Sequence, residues 1–94
     1  MTTLMAPTKV ATDALTDLVH TARSRGWEAK RAGLTHTAYA LMRLAADLDA
    51  VRTRLVEDGP DYLDAAWAFI DAGRRMITEN IAKLDREVAD RARS

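Results

Sequence analysis

WEAKRAGLTHTAYALM, residues 27–42, has the spacing of a helix-turn-helix around its turn. Small Ala29 is followed four positions later by Gly33, and then by apolar Leu34, Tyr39 and Met42. In that reading the first turns of the second helix enter a major groove, with Thr35, His36, Thr37 and Arg43 facing bases and phosphates. Three features oppose it. The first helix, bounded by Gly26 and Gly33, is two turns at best and puts Glu28 where an apolar anchor belongs. Leu41 would face DNA although it belongs to a long apolar seam. The reading helix would also continue about five turns beyond its reading end. The stretch is therefore read as a glycine-bounded connection between two bundle helices.

Working outward, the residues before this stretch carry Val10, Ala14, Leu18 and Ala22, with Leu15 and Val19 beside them, at helical spacing. Pro7-Thr8 can open a helix there and Gly26 is read as its end, giving a short helix over about 8–24 after an unpatterned, disordered tail 1–7. Thr35 is the expected cap of a second helix over about 34–58. Its stripe is Leu34, Ala38, Leu41, Ala45, Leu48 and Leu55, interrupted by Arg52. Gly59-Pro60 is a stop, because glycine suits the left-handed position after a helix and proline cannot extend one. Asp61 is expected to cap a third helix over about 61–92, whose stripe is Leu63, Trp67, Ile70, Ile77, Ile81, Leu84 and Val88, with Arg74 the intruder. A second row, Tyr62, Ala66, Phe69, Gly73 and Met76, widens its first half. The prediction is an all-α fold in one domain, residues 8–94. It consists of a short N-terminal helix and a long antiparallel helical hairpin, a three-helix bundle. In the hairpin Leu48 faces Ile70, Ala45 faces Gly73 and Leu41 faces Ile77.

The last ten residues of the third helix overhang the second, and the short Ala-rich first helix covers little area. Something else must then cover Leu84 and Val88. The expected solution is a homodimeric bundle with Tyr62, Trp67, Ile70, Ile77, Ile81 and Leu84 in its interface.

The 94 residues contain 14 basic and 14 acidic side chains, a balance that argues against nucleic acid as the main partner. There is no cysteine, which removes disulfides, thiolate nucleophiles and thiolate metal sites. No stretch approaches about 18 apolar residues. Met1 to Val10 has neither the basic start nor the apolar run of a leader, so a cytoplasmic protein with no membrane contact is expected. Eleven arginines against three lysines, with 18 alanines, point to a GC-rich bacterial or phage genome. Charge is uneven. Arg23, Arg25, Lys30 and Arg31 gather around Gly26, whereas Glu57, Asp58, Asp61 and Asp64 gather around Gly59.

Chemistry-bearing sets are sparse. Asp17 and His20 stand three apart, with His36 as a conceivable third metal ligand, but a carboxylate-bridged site needs a second such set and none exists. Ser24 and Ser94 are the only serines, and neither lies in a nucleophile elbow. Arg52 and Arg74 interrupt apolar seams. They either hold an anionic ligand or, the preferred reading, reach solvent and pair with Asp49 and Asp71. Trp27 either closes the bundle end over Leu84 and Val88, the preferred reading, or contacts a partner protein together with Arg23, Arg25, Lys30 and Arg31.

In size and hairpin outline the chain resembles the WXG100 secreted proteins, which imply helical-hairpin dimers. That family carries Trp-x-Gly at its central turn. Here the turn is Asp58-Gly59-Pro60-Asp61, and Trp27 and Trp67 lie elsewhere. The expected function is a non-enzymatic, homodimeric interaction module that binds another protein, without cofactor or metal. The alternatives are a small DNA-binding regulator reading DNA with residues 35–43, and a ligand- or metal-binding bundle.

Overall fold

The computed structural model describes residues 2–93, which form three long helices: α1 (Thr2–Arg31), α2 (Thr35–Asp58) and α3 (Leu63–Arg93). A single 3-10 turn, Gly59–Tyr62, joins α2 to α3, and no strand occurs among the described residues. The expected all-α bundle is the observed fold. The rod measures 57 × 18 × 16 Å, with α1 and α3 both running antiparallel to α2.

The largest departure from expectation is α1. It starts at Thr2, within the expected tail, and passes straight through Gly26 to Arg31; Met1 lies outside the described residues. Gly26 does not stop the helix because its role is in packing. A methyl group at this position would lie 3.2 Å from Cγ, Sδ and Cε of Met42, so glycine lets α1 and α2 approach closely. The stop is Gly33, at φ 76°. Its N–H donates to the Lys30 carbonyl at 3.0 Å, and the Leu34 N–H donates to the Ala29 carbonyl at 2.9 Å. These two bonds, with Leu34 packed in the same apolar cluster as Ala29, form a Schellman C-terminus. The stretch 27–42 is thus the end of one long helix, a three-residue turn and the start of another. Leu34, not Thr35, occupies the N-cap of α2, and no side chain caps it.

At the opposite end Gly59 takes φ 65° as the sequence implies, and its N–H donates to the Leu55 carbonyl. Asp61 falls inside the 3-10 turn rather than at the cap of α3. That turn shifts the hairpin register. A methyl group at Gly73 would lie 3.0 Å from Leu48 Cδ2, so Gly73 sits against Leu48 rather than Ala45.

The core follows from these placements. Ala11, Leu15, Val19, Ala22, Gly26 and Ala29 recur every three to four residues along α1 and are all buried. They meet Leu44, Ala45, Leu48, Val51 and Leu55 of α2 and Ala66, Ile70 and Ile77 of α3. A smaller cluster at the Gly33 end joins Ala29, Leu34, Ala38 and Leu41 to Leu84. Leu41 therefore shares its surroundings with Leu84, not Ile77. This cluster also resolves the overhang: the extra length of α1 and the Gly33 turn bury Leu84 completely, with no second chain. Of the six residues expected at a dimer interface, Ile70, Ile77 and Leu84 are buried in the chain's own core. Tyr62, Trp67 and Ile81 pack against the edge of that core.

Candidate interaction surface

A three-helix bundle covers each helix on two sides and leaves an outer face on each. On α3 the period of 3.6 places Ala65, Ala68, Phe69, Ala72 and Met76 on one outward stripe, flanking the side turned toward α2. Phe69 is 49% and Met76 48% exposed. They rim a groove of about 390 Å³ floored by Leu44, Leu48 and Val51 of α2 and by Ala72 and Gly73 of α3. Its one charged lining residue is Asp47, which accepts a 3.3 Å hydrogen bond from Arg43 Nε on the rim. The surface is apolar, shallow and two helices wide. Small side chains on its floor allow a further helix to approach closely. It is suited to burying side chains rather than to proton transfer.

The charged residues of α3 differ in whether a partner within the chain engages them. Several are engaged with α1, with α2, with the turn between them or with the next turn of α3. Asp71 pairs with Arg74 at 3.8 Å, Asp85 with Arg25 at 2.5 Å, and Asp90 with Arg93 at 2.5 Å. Glu87 accepts a 2.6 Å hydrogen bond from Thr37 Oγ1, and Arg91 donates to the Ala32 carbonyl. Asp64, Arg75, Glu79, Lys83 and Arg86 on the outer stripe, and Asp61 in the 3-10 turn before it, make no ion pair among the described residues.

The DNA-reading set is not brought together. Thr35, His36 and Arg43 are exposed, but Thr37 is 1% exposed and is held against Glu87 at the α2–α3 contact. Tyr39, which the motif needs inside, is 67% exposed, and Leu41, which it needs outside, is fully buried. The reason is rotational: the seam of α2 is phased to meet α1 and α3 side by side, so α2 presents a different face from a reading helix.

Trp27 lies on the outer face of α1, half exposed, with the Lys30 ammonium 4.7 Å from its ring centroid. It does not belong to the cluster that buries Leu84, so it is no plug for that end of the bundle. Arg23, Lys30 and Arg31 share its exposed side of α1, while Arg25 is tied to Glu28 at 3.0 Å and to Asp85. Arg52 pairs with Asp49 and donates a 3.1 Å bond to Thr16 Oγ1 on α1. Arg74 lies 5.9 Å from the Trp67 ring and pairs with Asp71. Both arginines are thus structural pairs, engaged on different neighbours. Asp17, His20 and His36 do not converge, and no trio of potential metal ligands does so among the described residues.

Phe69 and Met76 were legible as a second apolar row on the third helix. Which members of the row face outward was not, because that depends on where α1 lies: Ala66 and Gly73 are covered, whereas Phe69 and Met76 are not. No protein-family description, curated protein or solved structure matches the chain.

Proposed function

We propose that the protein is a non-enzymatic helical interaction module that docks another protein chain on the α2–α3 face centred on Phe69 and Met76. The observation that carries this reading is the exposure of these two large apolar side chains beside a continuous groove with a single charged lining residue. Aromatic residues and methionine are the types that interface cores favour over the remaining surface. The near-absence of polar groups in the groove suits recognition by burial. The balanced charge and the burial of Thr37 favour a protein partner over DNA. No helix among the described residues is long and apolar enough to cross a membrane. The cysteine-free, alanine- and arginine-rich composition is in keeping with a cytoplasmic protein of bacterial or phage origin.

The test compares the wild type with Phe69→Arg and Trp27→Ala in affinity capture from the native lysate and in self-association. The expected result is loss of association with Phe69→Arg alone, with an unchanged helical circular dichroism spectrum. Association that survives Phe69→Arg but fails with Trp27→Ala would move the docking surface to the outer face of α1 and overturn this reading.

A further inference from the structure

We infer that the occupant of this face is a second copy of the same chain, with the two α3 helices antiparallel across a two-fold axis at Ala72. The inference rests on the docking face proposed above and adds its occupant and its register.

Two independent observations select this partner. The first is steric. Along the outer stripe of α3 the order is Phe69, Ala72, Met76, a large–small–large pattern almost centred on Ala72. An antiparallel pairing about that position sets small against small at the closest approach. It also sets each Phe69 between positions 75 and 76 of the partner copy, within reach of the flexible thioether at 76, which adapts to the ring. A two-fold interface requires such self-complementarity, since each contact is made twice.

The second is electrostatic. The outer stripe of α3 begins with Asp64, preceded by Asp61 in the 3-10 turn, and its second half carries Arg75, Lys83 and Arg86 against Glu79, followed by the mutually paired Asp90 and Arg93. Asp61, Asp64, Arg75, Glu79, Lys83 and Arg86 make no ion pair within the chain among the described residues, whereas Asp71, Asp85, Glu87, Asp90, Arg91, Arg74 and Arg93 are engaged within it. The antiparallel register that centres on Ala72 brings Asp61 of each copy opposite position 83 of the other. Its acidic start therefore lies along the basic second half. A parallel pairing would set Asp61 against its own equivalent and Lys83 against its own, so like charges would meet at both ends. The charge pattern that is unmatched within one chain is matched between two.

Because the chain has no cysteine, single engineered cysteines report the register directly. Ala72→Cys is expected to form an intermolecular disulfide rapidly under mild oxidation, since a residue on the axis meets its own copy within the short Cα separation that a disulfide demands. Ala46→Cys on α2 and Ala89→Cys near the end of α3 are exposed controls expected to link at least tenfold more slowly. Mixing Phe69→Cys with Met76→Cys is expected to give mainly the mixed species. Light scattering on the wild type should show a mass that rises from one to two chains with concentration, and Phe69→Arg should hold it at one.

A one-chain mass for the wild type at hundreds of micromolar would overturn the inference. If Phe69→Arg still abolished capture of another protein in that case, the docking face would stand with a different occupant. Equal linking of all three cysteine positions would overturn the axis. Self-linking of Phe69→Cys in preference to the mixed species would overturn the antiparallel order.

Discussion

Between residues 65 and 77 the inner and outer faces of α3 carry similar apolar residues and differ in what covers them. The inner face, Ala66, Ile70, Gly73, Ile77 and Leu84, is closed off by α1 and α2. The outer one, Ala65, Phe69, Ala72 and Met76, repeats the same alternation of large and small and remains half exposed. Over that span the difference in exposure comes from where the other two helices lie. One face holds the fold together, and the other is the one proposed for association.

Substitutions break that comparison most strongly where they strike the inner seam. Leu41→Lys, in the cluster that buries Leu84, removes a fully buried side chain and introduces a charge. It is expected to cost about 3 kcal/mol or more, seen as a large drop in melting temperature. A stable Leu41→Lys protein would mean that α2 is phased differently.

Gly73→Leu comes next. Even a methyl group there meets Leu48 Cδ2 at 3.0 Å, so the larger side chain is expected to cost about 1–3 kcal/mol in denaturant unfolding through overpacking. Below it, Gly33 and Gly26 are expected to respond to alanine in different ways. Gly33→Ala forces a left-handed backbone on a residue with a Cβ and is expected to cost about 1–2 kcal/mol. Gly26→Ala gains about 1 kcal/mol of helix propensity, offset by displacing the flexible Met42 side chain, so its melting temperature should stay close to wild type. Equal losses at the two glycines would refute their assignment to conformation and packing.

On the outer face, too, the effect on stability is expected to be small. Phe69→Arg should change the unfolding free energy by about 0.5 kcal/mol or less, since its side chain is half in solvent in the single chain. Its consequence belongs to association. A loss as large as that of Leu41→Lys would show that Phe69 is part of the core and would remove the distinction between the faces.

α2, α3 and the turn between them could be read from the sequence because their seams are leucine and isoleucine, which stand out against a polar background. α1 could be read only in part. Its seam is Ala11, Leu15, Val19, Ala22, Gly26 and Ala29, and alanine gives a weak periodic signal because it is common on exposed helix faces as well. Two glycines seven residues apart then offered two stops. Local sequence does not show which of them adopts a positive φ and which admits Met42. From that one choice followed the short helix, the uncovered Leu84 and the placement of core residues in an interface. The groove was hidden for the same reason, since it is defined by what a full-length α1 covers and what it leaves open.

The Thr37–Glu87, Arg25–Asp85 and Arg91–Ala32 contacts have a consequence for how the molecule opens. Beyond Leu84 the third helix has no fully buried apolar side chain, and Val88 is 39% exposed. Its final two turns are secured by hydrogen bonds and ion pairs to α1, to α2 and to the turn between them. Ionic strength weakens such attachments and leaves apolar burial intact. Backbone amide exchange should accordingly fall into two regimes that meet at Leu84. The amides before it are released only by global unfolding, and those after it by a local, salt-accelerated detachment that leaves the rest of the bundle folded.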